Sequence, residues 1–198
     1  MTTAHRPLTL WLVATLASAN VHPGTDSDRR PVLVVVLHNY ASIAPHILEH
    51  AAREVERAYA QLGVGVRWVA PPLDADQRDD SHGEALVATI HVRLFRRDAR
   101  DRAVTGVLGI DAPHAMGSPV TVTHVVYEPV GDDSTSGIAL AYVLAHLMGN
   151  IAMTPDVSRP ATIVRAARGE VEQLQHGESP FTREQADRIR AGVRAAGR

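Results

Sequence analysis

Between Gly137 and Met153 the chain reads Gly-Ile-Ala-Leu-Ala-Tyr-Val-Leu-Ala-His-Leu-Met-Gly-Asn-Ile-Ala-Met, and only Tyr142, His146 and Asn150 bring polar side-chain atoms to it. The preceding Asp132-Asp133-Ser134-Thr135-Ser136 is a concentration of helix N-cap residue types, so the apolar run is expected to be a helix starting near Gly137. A helix that is apolar nearly all round cannot lie on a surface, because it has no face to give to water. It must be enclosed, and the rest of the chain has to provide the layers that enclose it.

Those layers are legible upstream. Val32 to Leu37 is a continuous, β-branched run of strand length, as for a strand covered on both faces. From Pro45 to Leu62, apolar residues at Ile47, Leu48, Ala51, Val55, Ala58, Tyr59 and Leu62 follow the spacing of an amphipathic helix, and Gly63 is its stop signal. Val64 to Val69 returns as a strand, and this strand–helix–strand order implies a right-handed crossover with at least one parallel pair. Past a polar loop from Pro71 to Gly83, Leu86, Ala88, Ile90, Val92 and Leu94 alternate with Thr89, His91 and Arg93, the period of a half-buried strand. Val104 to Ile110 and Val120 to Tyr127 read as two further strands, separated by a loop with Pro113, His114 and Gly117, for a sheet of about five. Near the end, Thr182-x-x-Gln185 forms a capping box with Phe181 as staple, starting a C-terminal helix. The expected class is α+β, a single domain over residues 31–198 with no internal repeat.

Composition narrows the chemistry. The 198 residues are 45% hydrophobic and carry a formal net charge of −2 from 20 basic and 22 acidic residues spread along the chain, so no basic stripe marks a nucleic-acid partner. There is no cysteine, which excludes disulfides, thiolate metal sites and cysteine nucleophiles together. Any metal would need His, Asp or Glu.

At the N-terminus, His5 and Arg6 precede the apolar run Leu8 to Leu16, and Ala17-Ser18-Ala19 has the small-x-small pattern of a signal-peptidase site. Residues 1–19 are therefore read as a signal peptide cleaved near Ala19, against the alternative of a plain N-terminal extension, and the polar residues 20–30 as a flexible lead-in. The mature chain would be secreted or periplasmic with no membrane segment. Its apolar N-terminal run is far short of the roughly 20 residues that cross a bilayer, and no other stretch is expected to reach that length. Loss of residues 1–19 removes one Arg and no acid, taking the formal charge from −2 to −3.

Within the apolar helix, Ala145-His146-Leu147-Met148-Gly149-Asn150 resembles the active-site helix of metzincin-like zinc metalloproteases, whose A-H-E-x-G-H stretch follows a small mixed sheet. In that zincin family two His residues four apart lie on one helix face and ligate zinc, and the Glu beside the first takes a proton from the zinc-bound water. The resemblance puts His146 at the first ligand, Leu147 at the catalytic Glu and Asn150 at the second His, so the motif is degenerate. Further on, Val157-Ser158-Arg159-Pro160-Ala161-Thr162-Ile163-Val164-Arg165 resembles the stretch that holds the third His and the methionine turn, with Ser158 at the third ligand and Val164 at the Met. In an alternative register Asp156, ten residues after His146, would serve as third ligand beside His146 and Asn150. A catalytic zinc needs three protein ligands and an open water position, a neutral amide oxygen is a poor zinc donor, and Leu147 accepts no proton. No base remains unless Glu128 or Glu170 approaches from elsewhere in the fold.

The resemblance therefore implies a secreted pseudo-protease with no bound cofactor, zinc entering only if the site is rearranged. It implies that the inherited cleft takes a peptide or protein ligand as an added strand, with Val120 to Tyr127 as the expected edge. The alternative is an active metallohydrolase built on His146 and Asp156. A blander reading is a secreted α/β domain in which His146 is a hydrogen-bonded core histidine. Other signals are weaker. Among His38, His46, His50, His82, His91, His114 and His124, only His46 and His50 form a helical pair, which reads as a solvated face. Ser134, Ser136 and Ser158 lack a nucleophile elbow, Gly63-Val64-Gly65 lacks the rest of a phosphate fingerprint, and the mixed charges of Arg96 to Arg102 read as an exposed hairpin turn.

Overall fold

A computed structural model describes residues 31–69, 85–96, 106–111, 120–153 and 162–196. The expected signal peptide and lead-in lie outside the described residues, as do Asp156, Ser158, the Pro71 to Gly83 loop and most of Arg96 to Arg102. Among the described residues the chain is α+β, with six strands in one mixed sheet and four helices. The elements are β1 (Pro31–Asn39), α1 (Pro45–Ala60), β2 (Gly65–Val69), β3 (Ala85–Arg96), β4 (Leu108–Asp111), β5 (Val120–Tyr127), α2 (Asp133–Met153), β6 (Thr162–Arg165), α3 (Arg168–Gln175) and α4 (Arg183–Ala196).

The sheet order is β2-β1-β3-β5-β4-β6. β1 pairs in parallel with β2 and β3, β3 in parallel with β5, and β4 runs antiparallel to both β5 and β6. The strand–helix–strand opening is therefore present, with α1 as the crossover from β1 to its parallel neighbour β2. Pro45 opens α1 with its fixed φ, where the missing N–H is not needed, and Gly63 at φ 76° turns the chain out of it.

Two expectations about the sheet are corrected. β5 is an interior strand, not an edge: β4 folds back onto the side that β3 leaves open, and the edges are β2 and β6. The sixth strand, β6, occupies the segment expected to form a methionine turn. Thr162-Ile163-Val164 is β-branched throughout and finds the open side of β4, so it stays extended, with Val164 in register with Gly109 and Ile163 with Ile110. β4 is also shorter than the expected Val104 to Ile110 run, because Gly106 adopts φ 97° and delays the strand to Leu108.

α2 starts four residues earlier than expected. Asp132 accepts a hydrogen bond from the Thr135 backbone N–H at 2.7 Å, the N-cap to N3 geometry, and the Thr135 N–H and hydroxyl hold its carboxyl below the usual range. The Ser136 hydroxyl accepts from the Val130 N–H (2.8 Å) and donates to the Val130 carbonyl (3.0 Å), tying the entry of the helix down. With 21 residues, α2 is long and apolar enough to cross a membrane, contrary to the reading that no such stretch follows the N-terminus. It is instead the centre of the fold: Ile138 to Ala141, Val143 to Ala145 and Leu147 to Gly149 are buried against α1, α3, α4 and the β4–β6 end of the sheet. One hydrophobic cluster joins these residues to Leu33, Val35, Ile90, Val92, Leu94 and Val125 of the sheet.

α3 carries no strong sequence signal. Only Val171 and Leu174 are buried, and its N-cap residue Ala167 makes no side-chain cap. α4 is capped as expected: Gln185 Oε1 accepts from the Thr182 N–H at 2.8 Å, and Thr182 Oγ1 accepts from the Gln185 N–H at 3.2 Å. Phe181 and Ala186, the staple positions, are both buried.

Candidate functional site

The residues singled out on α2 divide between two of its faces. Tyr142, His146 and Asn150, spaced by four, are half-buried and share one face. Leu147 is fully buried on another. Its Cδ1 would lie 2.6 Å from a Cβ placed on Gly109, as would Cγ1 of Val143, so the absence of a side chain at Gly109 lets the helix settle directly on the β4 backbone. The position of the catalytic Glu in the metalloprotease pattern is therefore a core packing position in this chain.

His146 is fixed by three contacts. Its Nδ1 lies 3.0 Å from the Tyr142 carbonyl, and its ring packs on the Tyr142 ring (centroids 4.2 Å apart) and on Phe181 (5.5 Å). Donation from Nδ1 to the carbonyl leaves the lone pair on Nε2, the tautomer that a ligating or proton-accepting imidazole needs. Burial pushes the pKa of His146 below the usual imidazole range, opposed by the hydrogen bond to Tyr142 and the charge of Glu170.

Glu170 comes to this face from the first turn of α3. Its carboxylate lies beside the Tyr142 phenol, whose pKa is raised by burial and then by Glu170, while its Oε2 is buried with no hydrogen-bond partner among the described residues. Of the two carboxylates considered from sequence as a base, Glu170 thus approaches His146. Glu128 accepts from the Gly106 N–H (3.3 Å) at the start of the β4 segment.

A third layer supports the helix from behind. The fully buried Tyr59 of α1 donates its hydroxyl to the Ala145 carbonyl (2.9 Å) and makes a T-shaped ring contact with Phe181 (5.5 Å, 79°), and burial raises its pKa well above the ordinary phenol value. Gly149 fits beneath these groups, where a Cβ would lie 3.0 Å from Ile189 Cδ1 and 3.3 Å from Phe181 Cε1. The small residue of the motif is thus needed for packing of α2 against α4, whatever the chemistry.

Among the described residues the donor set falls short of the three protein ligands of a catalytic zinc. The described residues bring one imidazole, His146, and one nearby carboxylate, Glu170, where three protein ligands are required, and no group of three His, Asp or Glu side chains suited to a metal converges among them. Asp156 and Ser158 lie outside the described residues. The helical pair His46 and His50 does not converge on a common point: His46 Nε2 meets Asp133 Oδ2 at 2.8 Å across the α1–α2 entry, and His50 packs on Gly137. No protein-family model matches the chain, and no curated protein matches its sequence.

Proposed function

We propose that the chain is a secreted, zincin-like pseudo-protease: it keeps the architecture around a metalloprotease-type helix, has lost most of the zinc ligands and the catalytic Glu, and acts by binding an extended peptide or protein segment. The observation that carries this reading is Leu147. A proton acceptor at that position would have to leave the core to reach water, so the change from Glu to Leu is built into the packing of α2 on β4. Among the described residues the sheet leaves β6 as an edge beside α2, with Ile163 66% exposed, and an added strand would pair along it.

The purified protein, incubated with casein and a random peptide library, is expected to show no chelator-sensitive cleavage. The zinc it retains after gel filtration is expected to fall by less than about a tenth of an equivalent in His146→Ala, since one imidazole does not hold the ion against water. Peptides selected from a display library are expected to bind the wild type and to lose affinity for Ile163→Pro, which removes a main-chain donor from the edge. Chelator-sensitive proteolysis abolished by His146→Ala would overturn the reading. One observation favours a second reading, an active metallohydrolase with a rearranged site using His146 and Asp156: the Glu170 carboxylate stands where it bears on His146, with a buried, unpartnered oxygen. Loss of that same cleavage in Glu170→Gln would identify this case.

A further inference from the structure

On the side of the sheet opposite the helices, histidines from two strands meet. Residues alternate between faces along a strand, and the β1–β3 register pairs Val36 with His91 and His38 with Arg93, so His38 and His91 are diagonal neighbours on one face. Leu33, Val35, Ile90 and Val92 take the other face and join the core with the helices. His38 Nε2 stands 3.1 Å from His91 Nδ1, with the rings 23° from parallel and their centroids 5.4 Å apart. Further rings hold the pair in place: Tyr40 stacks on His38 (6.0 Å, 14°), Phe95 on Tyr40 (5.5 Å, 20°), and His124 meets Phe95 edge-on (5.6 Å, 63°).

We propose that His38 and His91 form a two-imidazole chelate for a divalent transition-metal ion, Cu²⁺ most tightly, on the outer face of the sheet and independent of His146. Two imidazole nitrogens bound to one ion at about 2.0–2.1 Å stand about 2.8 Å apart at a right angle and about 3.4 Å apart at the tetrahedral angle. The observed 3.1 Å lies between these limits, so both nitrogens can face one ion after the rings tip, without moving the strands. Imidazole suits copper, nickel and zinc, and copper heads the affinity order for a site of given donors. The change in bonding is small. In the metal-free pair one of the two facing nitrogens carries the proton of their shared hydrogen bond. On binding, that ring moves its proton to its other nitrogen, both facing lone pairs go to the metal, and no net proton is released from the neutral pair. With two protein donors, the remaining coordination positions are left to water or an external ligand. Arg93, exposed and in register with His38, sets a positive charge beside the site and lowers its affinity.

The test uses the full 198-residue chain and Cu²⁺ alone. Substoichiometric Cu²⁺ is expected to broaden the imidazole proton signals of His38 and His91 before those of the other histidines, with one equivalent bound and two imidazole nitrogens in its electron paramagnetic resonance spectrum. His38→Gln and His91→Gln are each expected to weaken binding at least tenfold, His146→Ala to leave it unchanged, and Arg93→Gln to tighten it about threefold as a screened surface charge is removed. Broadening that begins elsewhere, or one-nitrogen coordination in the wild type, would overturn the proposal even if the histidine variants failed to fold. Unchanged affinity in folded His38→Gln or His91→Gln would do the same.

Discussion

Replacing Leu147 by Glu puts back the side chain that the metalloprotease pattern has at this position, and the structure says that the protein will not tolerate it. Leu147 is fully buried against Val143 and the β4 backbone at Gly109. Removing a buried Leu side chain forfeits about 1.5–3 kcal/mol of burial, and an uncharged carboxyl left there without a partner costs about 1–3 kcal/mol more. Ionisation adds to this. Burial raises the folded-state pKa of the new carboxyl above its unfolded value of about 4.3, so the folded form holds its proton longer than the unfolded form. Stability then falls as pH rises from about 4.3 toward the folded pKa, by about 1.4 kcal/mol per pH unit. With a folded pKa at or above 7 the ionisation adds about 4 kcal/mol, and the total at pH 7 reaches roughly 6–10 kcal/mol, against about 5–15 kcal/mol for a whole domain. Leu147→Gln carries the packing and desolvation costs without the titration. Urea unfolding of both variants, followed by circular dichroism at several pH values, should show Leu147→Gln destabilised at all of them and Leu147→Glu diverging downward from it above pH 5. Should Leu147→Glu lose less than about 1 kcal/mol at pH 7 with no slope relative to Leu147→Gln, the side chain at 147 would have to reach water. The argument for a core position would then fail.

Other perturbations probe the same surroundings. His146 has a depressed pKa, so the stability it contributes is present above the unfolded imidazole value of about 6.5 and is lost as pH falls below it; the unfolding free energy of the wild type should decline toward pH 5 more steeply than that of His146→Gln, by up to about 1.4 kcal/mol per unit. Tyr59→Phe removes the hydroxyl that α1 donates to Ala145 and should cost about 0.5–1.5 kcal/mol in chemical denaturation, since the carbonyl keeps its place in the helix. Gly192→Ala places a Cβ against the Ala152 carbonyl where α4 crosses α2, and because backbone cannot rotate aside it should cost 3 kcal/mol or more, beyond the usual range of about 1–3 for overpacking, readable as a lower midpoint of thermal unfolding.

Much of the fold could be read from periodicity alone. β1, α1, β3 and β5 have strong local signals, and the capping box at Thr182 marked α4 because its two hydrogen bonds join residues only three apart. α3 was missed, since two buried apolar residues and no side-chain cap leave nothing for a pattern to detect. The order of strands is not legible either: alternation in β5 records which residues face the core, not which strand lies alongside, so its interior place follows only from its pairing with β4. At the site, the resemblance on Ala145 to Asn150 points to His146 and Asn150 on one helix face, and Tyr142 joins them by the same spacing of four. The approach of Glu170 depends on how α3 docks, and the meeting of His38 with His91 on the β1–β3 register. Both are contacts between residues far apart in sequence, and no single segment records them.

The place of α2 in the chain also governs the sequence of events by which the molecule is assembled. Its helix precedes β6, α3 and α4, the elements that cover one of its sides and complete the sheet beyond β4. A polypeptide emerging from its N-terminus would first assemble the parallel strands, which need long crossovers and form slowly, and would then hold an apolar helix covered by α1 and the sheet but open on its α3–α4 side until residues 162–196 arrive. A chain stopped at Met153 would keep β2, β1, β3, β5 and β4 yet present the α3–α4 side of that helix to solvent. The final fifth of the sequence thus closes the last open side of the apolar helix.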